Sequence, residues 1–215
     1  MGETTGVVVR PIRPEDKDAL RVLHEACFPI AYEDSFYDKT VNSADGISGW
    51  VACQHNDQLH RDEIVGVITA RTTAAERDAQ DLLSPDMCGA TTRRQACYIL
   101  TLGVKTSARR QGIASQLLLL VLRSCLESPS CKLVYLHTLT TNAASLQLYQ
   151  RHAFRVSCTE RRFYHIAGAH ADAFVLCLYI NGGRPPFSAL GTMRYAGESV
   201  KLWSASLWNL IAAKQ

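Results

Sequence analysis

The run Arg109-Arg110-Gln111-Gly112-Ile113-Ala114 places two guanidinium groups and a glycine between two segments of different periodicity. Ahead of it, Ala96-Cys97-Tyr98-Ile99-Leu100-Thr101-Leu102-Gly103-Val104 reads as a strand, and behind it Ser115 to Leu126 reads as one long helix. Such a turn gathers backbone N–H groups and the positive end of a helix at one point, which is the chemistry of a phosphate or pyrophosphate pocket. Gly112 allows the close backbone approach a pocket needs, and Ile113, Leu117, Leu118, Val121 and Leu122 would anchor the helix on a sheet. A solvated strand-to-helix connection looks the same in isolation; the strand before the turn and the anchored helix after it favour the anion pocket.

Two residues able to move a proton fall nearby. Tyr98 lies on the strand just named, and His137 closes a second strand, Lys132-Leu133-Val134-Tyr135-Leu136-His137. They sit at similar depths on strands expected to be neighbours, so both could reach one water or one amine. Taken singly, each has an ordinary role, a strand aromatic and a satisfied core histidine. After His137 a polar turn leads to Asn142, well suited to cap a helix running to His152 with Ala144, Leu148 and Tyr149 on one side.

The elements that must hold these residues follow from the rest of the chain. Val7 to Ile12 reads as a first strand, placed at an edge or strand end by Pro11. Arg13-Pro14-Glu15-Asp16 opens a helix with Leu20, Leu23, His24 and Cys27 on one face, ending before Pro29. A second short helix spans Ser35 to Val41. Gly49–Gln54 and Glu63–Ala70 read as antiparallel strands, Thr72 to Arg94 as a long loop, and Phe174–Ile180 as a last strand stopped by Asn181-Gly182-Gly183-Arg184-Pro185-Pro186. This order of elements predicts an α/β (α+β) domain, a mixed and mostly antiparallel sheet with helices on both faces.

Composition bounds the function. With 215 residues, the chain allows one buried domain plus an appendage. Hydrophobic content of 47% against 20% charge argues against wholesale disorder, and a net charge of +3 is far below that of a dedicated nucleic-acid binder. The eight cysteines form no Cys-x-x-Cys pair and most lie in apolar runs, which points to reduced, buried thiols in a cytosol-facing protein and to neither a zinc site nor a disulfide scaffold. The first ten residues carry no apolar signal core, and Met1-Gly2-Glu3-Thr4-Thr5-Gly6 has Gly6 where a myristoylation start wants Ser or Thr. No apolar run is long enough to cross a bilayer. From Ser199 on, Val200, Trp203, Leu207, Leu210 and Ile211 repeat at helical spacing beside Trp208, so the tail reads either as a helix packed on its own domain or as an amphipathic helix lying in a membrane interface.

The spacing (Arg or Gln)-x-x-Gly-x-(Gly or Ala), filled by Arg109, Gly112 and Ala114, resembles the acetyl-CoA pyrophosphate loop of the GNAT superfamily of N-acetyltransferases. Phe28-Pro29-Ile30-x-Tyr32, Tyr98-Ile99-Leu100-x-Leu102-Gly103-Val104, Tyr135-Leu136-His137-x-Leu139-Thr140-Thr141-Asn142 and Leu178-Tyr179-Ile180-Asn181-Gly182-Gly183-x-Pro185-Pro186 follow in order. Together they resemble the NatF-type protein N-alpha-acetyltransferases over roughly residues 7 to 190, as in a distant plant or algal orthologue. Ala153 precedes Phe154 where the superfamily has glycine, Ala31 stands in place of an acidic residue of the animal relatives, and Phe163 replaces a tyrosine.

That resemblance implies a role for each motif. Tyr98 and His137 become the catalytic pair that draws a proton from the substrate amine through water. Leu102, Gly103 and Val104 hold the pantetheine arm, Arg110, Gln111, Gly112, Ile113, Ala114 and Ser115 cradle the pyrophosphate, and Asn142, Tyr149, Gln150, Arg151 and His152 line the rest of the acetyl-CoA channel. Phe28, Pro29, Ile30, Tyr32, Leu100, Phe163 and Tyr164 bind the peptide, with an apolar wall suited to a methionine side chain. The implied domain is a GNAT domain over 7–187 with a tail over 188–215. The implied activity is direct acetyl transfer to protein N-termini that keep methionine before a non-acidic residue, with no metal and no nucleic acid. Protein N-terminal peptides are the expected partners, those of membrane proteins with cytosolic N-termini among them. A membrane-docked tail would place the enzyme on the cytosolic side of an intracellular or plasma membrane, a packed tail in the cytoplasm. A lysine or small-amine acetyltransferase of the same fold and a non-catalytic acetyl-CoA-binding module are the alternatives.

Overall fold

The computed structural model describes residues 6–56, 61–75, 79, 81–84 and 94–186. The strands are β1 (Val8–Pro11), β2 (Ile47–Asn56), β3 (Arg61–Ala74), β4 (Gln95–Val104), β5 (Cys131–Leu139), β6 (Arg155–Ile166) and β7 (Ala169–Tyr179). The helices are α1 (Lys17–Cys27), α2 (Asp34–Val41), α3 (Ile113–Leu126) and α4 (Ala143–Arg151), with short 3-10 turns at Pro14–Asp16, Ala44–Gly46 and Thr106–Ala108. The strands form one seven-stranded sheet in the order β1-β2-β3-β4-β5-β7-β6. Every neighbouring pair is antiparallel except β4 with β5, which are parallel because α3 carries the chain back between them.

Side-chain alternation assigns the two faces. Ala52, Ile68, Cys97, Ile99 and Val134 pack under α3, whose Ile113, Leu117, Leu118, Val121 and Leu122 are all buried, as its apolar stripe predicts. Val51 and Val67, each one residue away, point to the opposite face and meet Leu20 and Leu23 of α1 with Tyr37 and Val41 of α2. Lys17–Asp38 and Arg21–Asp34 ion pairs join α1 to α2 at the surface. On the same face, beyond β4, Leu133, Val175, Cys177 and Tyr179 are covered by Ala79 and Leu83. Part of the expected loop over 72–94 is therefore ordered core. β3 runs on to Ala74 because Arg71–Ala74 find partners in Gln95–Tyr98 of β4.

Two irregularities of the sheet shape the site. Thr69 pairs with Thr101 and Ala70 with Ile99, so Leu100 is an extra residue that bulges β4. β4 and β5 then pair only from Gln95↔Cys131 to Tyr98↔Tyr135, although β4 continues to Val104 and β5 to Leu139. β5 keeps β7 as its other partner to Leu139↔Ala173 while β4 keeps β3 to Val104, so the sheet opens in a V beyond Tyr98. The inner edge of β4 past the bulge has no strand partner among the described residues. The amphipathic helix expected in the tail lies outside the described residues.

Candidate active site

The Arg109–Ala114 turn, read from sequence as an anion pocket, sits at the open end of the V. After Val104, the Thr106–Ala108 turn leads to Arg109, whose Nε donates to the carbonyl of Val104 at 3.0 Å and pins the turn to the strand end. Arg110 and Gly112 both take positive φ, 66° and 82°, and α3 starts at Ile113. A Cβ on Gly112 would meet nothing within 4 Å, so glycine serves the backbone conformation there and not packing. The first N–H groups of α3 have no intrahelical acceptor, and the exposed Arg110, Gln111 and Gly112 stand around them. Gly66 on β3 lets Ile113 Cγ2 come to where a Cβ would be only 2.9 Å away, which fixes the start of α3 against the sheet.

α4 lines the other arm of the V. Asn142 caps it, its Oδ1 accepting from the Ser145 N–H at 3.1 Å, and Thr138 on β5 donates to Ser145 Oγ at 3.0 Å. Tyr149 is buried edge-on to Phe154, with ring centres 5.3 Å apart. His152 reaches across with Nε2 3.1 Å from Ser115 Oγ in the first turn of α3. Tyr149 is buried on α4 and His152 half-buried at its end, while Gln150 and Arg151 are solvent-exposed.

Tyr98 and His137 meet where the V begins. Tyr98 Oη lies 3.0 Å from His137 Nδ1, and Tyr135 stacks beside Tyr98 with ring centres 4.8 Å apart. Burial, aided by the phenols of Tyr164, Tyr135 and Tyr32 and the carboxylate of Glu160, pushes the Tyr98 hydroxyl far above its ordinary range. A protonated Tyr98 can donate this hydrogen bond to Nδ1, and in that tautomer Nε2 carries the ring proton. Phe163 lies flat on the imidazole, 4.0 Å between centres with 2° between planes. Glu160 Oε1 comes to 3.3 Å from Nε2, without the alignment of a hydrogen bond.

The wall facing this pair is aromatic. α1 ends when Phe28 turns extended, its N–H still bonding His24 O at 2.8 Å, and Pro29 prevents continuation. A Cβ on Gly103 would stand 3.0 Å from Phe28 Cζ, so glycine there is what admits Phe28 onto β4. Phe28, Tyr32 and Phe36 pack around the fully buried His24. Burial pushes the Tyr32 and Tyr164 phenols each up to about 12, with Tyr164 adding to the effect at Tyr32, so both are neutral donors facing the opening. Ile30 is half-buried in this wall and Pro29 is exposed. Leu100 is half-buried at the bulge itself.

The fold thus brings Tyr98, His137, Phe163, Tyr164, Tyr32 and Phe28 to one opening and sets the anion turn at the end of the β4 edge that leads from it. The chain matches the acetyltransferase (GNAT) family over residues 17–154. It belongs to that family. This GNAT acetyltransferase is 34% identical over 206 residues to histone acetyltransferase MCC1 of Arabidopsis thaliana, covering 95% of this chain and 83% of the relative. It is 34% identical over 199 residues to N-alpha-acetyltransferase 60 of Xenopus tropicalis, covering 90% and 78%. The crystal structure of Arabidopsis thaliana NAA60 in complex with acetyl-CoA superposes with a TM-score of 0.76 at 35% identity, covering 82% of this chain and 100% of that one. The expected GNAT fold and the resemblance to NatF-type relatives are both borne out.

Sequence reasoning missed His24, Tyr135, Ser145 and Glu160 in this acetyltransferase. His24 was visible only as one member of an apolar helix face. Glu160 carried no signal, because the irregular register of β6 between Glu160 and Tyr164 decides what its side chain can reach.

Proposed function

We propose that this enzyme transfers the acetyl group of acetyl-CoA to the α-amino group of protein N-termini, preferring those that retain methionine before a non-acidic residue. The observation that carries the reading is the Tyr98–His137 hydrogen bond of 3.0 Å at the point where β4 loses its strand partner. The residues fit the donor: a β4 edge with no strand partner among the described residues accepts an extended pantetheine arm as an added strand, and the Arg110–Ser115 turn offers N–H groups to a pyrophosphate.

When bound, acetyl-CoA would supply a thioester whose C–S bond breaks as the C–N bond to the amine forms, the departing CoA thiolate taking up the second proton that the acylated nitrogen sheds. The chain's residues then orient and deprotonate. An α-ammonium group titrates near ~8, so a mild base releases the free amine. Tyr98 Oη takes that proton, directly or through water, as its own proton passes to His137 Nδ1. The N–H groups of Leu102 and Val104, which alternate away from β3, polarise the thioester carbonyl, while that of Gly103 bonds β3. Tyr32 and Tyr164 donate to the peptide backbone, and Phe28 and Ile30 receive the first side chain. Direct transfer in a ternary complex fits the state of the Cys27 thiol beside Arg109: burial raises its pKa, with Arg109 opposing, so it stays protonated and a poor nucleophile.

Lysine side-chain acetylation is the second reading, favoured by the relationship to a protein named a histone acetyltransferase. Met-initiated peptides with free N-termini, assayed against N-terminally blocked peptides with internal lysines, separate the two. Equal rates on blocked peptides would overturn the preference for α-amines. For residues 188–215, docking of the Trp203 and Trp208 helix on a cytosolic membrane face fits substrates that are membrane proteins with cytosolic N-termini. Liposome flotation of the full chain against a version ending near residue 190 tests it, and identical flotation rejects it.

A further inference from the structure

Both nitrogens and one face of His137 have neighbours, and the mechanism above uses only Nδ1. Nε2 is buried with no hydrogen-bond partner, yet a carboxylate oxygen stands 3.3 Å away on Glu160. The imidazole side chain is 11% exposed and that of Glu160 is 47% exposed, so the carboxylate bridges a buried ring and solvent. Phe163, stacked on the ring, leaves it little freedom to turn away. Glu160 and Phe163 belong to the same irregular stretch of β6.

We infer that Glu160 is a positioning residue of the acetyl-transfer reaction, fixing the His137 tautomer and stabilising the ring when it becomes charged during turnover. The inference rests on the proton path proposed above. In that path one ammonium N–H bond breaks, an O–H bond forms at Tyr98, and the Tyr98 proton forms an N–H bond at Nδ1. The positive charge leaves the substrate nitrogen and resides on a ring with protons on both nitrogens. Glu160 faces the second of these, and a contact of 3.3 Å tightens once the ring is cationic. After transfer the ring returns one proton to water. The other titratable groups around the ring are Tyr98 on β4, Tyr135 on β5 and Tyr164 on β6, with Tyr32 beyond Tyr98. Burial raises the Tyr98, Tyr164 and Tyr32 phenols, and Glu160 is the carboxylate among the groups named.

The test compares wild type, Glu160→Gln and Glu160→Asp on a Met-initiated peptide with acetyl-CoA, together with NMR of the His137 ring in the ligand-free protein across pH. For Glu160→Gln, kcat near neutral pH falls roughly 3- to 10-fold while both KM values stay within about 2-fold. The acidic limb of the rate profile moves to lower pH, and the ring protonates at lower pH than in wild type, because the anion that favoured its charged form is gone. Glu160→Asp recovers part of the kcat. An unchanged kcat with an unchanged ring titration in Glu160→Gln would overturn the inference. Wild-type protein inactive on every N-terminal peptide would instead sink the proposed acceptor, and the ring titration would still decide on Glu160.

Discussion

His152 at the end of α4 bonds Ser115 in the first turn of α3 across the open V, Nε2 to Oγ at 3.1 Å. Burial lowers the His152 pKa, so the ring is neutral at physiological pH, and Nε2 either donates to or accepts from the hydroxyl without bringing a charge to the channel. The contact ties the helix that presents the anion turn to the helix that lines the opposite arm. Ser115→Ala or His152→Ala removes it. A hydrogen bond of this kind contributes about 0.5–1.5 kcal/mol, so KM for acetyl-CoA rises by roughly 2- to 10-fold. Peptide KM stays nearly constant; steady-state kinetics with each substrate varied in turn distinguishes the two.

Tyr98 is the first member of the proposed proton path, so loss of its hydroxyl tests that path. Tyr98→Phe lowers kcat by about 100-fold, within the range for positioned acid–base groups, and His137→Ala does the same. The two act as one unit, so the double variant is scarcely slower than either single one. A product of the two separate losses would show that they work independently.

Gly103 separates donor from acceptor effects. A methyl there would lie 3.0 Å from Phe28 Cζ and 3.1 Å from Cys27 Cβ. Gly103→Ala therefore displaces the Phe28 wall and raises peptide KM several-fold, at a stability cost of about 1–3 kcal/mol from overpacking. Thermal melting and peptide titration read the two effects separately.

His24 makes the fold acid-sensitive. Burial holds its pKa near 4 against an ordinary 6.5, so the folded ring stays neutral where the unfolded chain takes up a proton. Stability is complete above about 6.5, falls as pH drops through that window, and stops falling below about 4. The total loss is on the order of 3 kcal/mol. His24→Leu flattens the unfolding free energy between these limits, and Thr101 keeps its 2.7 Å bond to Thr69 in that variant. Denaturant curves from pH 7 to pH 4 check the slope.

Local patterns carried most of the architecture. The apolar face of α3, the Pro29 stop after α1 and the cap at Asn142 were legible because each depends on residues within a turn or two of one another. The Tyr98–His137 contact was legible only as two residues at similar depth on expected neighbours; its 3.0 Å length depends on how Tyr98 and Tyr135 fall in parallel register. Ala79 and Leu83 were read as loop, since the sequence gives no sign that they cover Leu133 and Val175 from a distance. Glu160 and the orphaned Nδ1 of buried His24 belong to the same class, set by long-range packing alone.

The parting of β4 and β5 beyond Tyr98 also bears on how durable the protein is in a cell. A ligand that lies along the inner β4 edge binds the folded chain and not the unfolded one, so it adds about 2.7 kcal/mol at one hundred times its Kd. Melting temperature then tracks the concentration of acetyl-CoA, and an enzyme starved of its donor is the form that chaperones and proteases meet first.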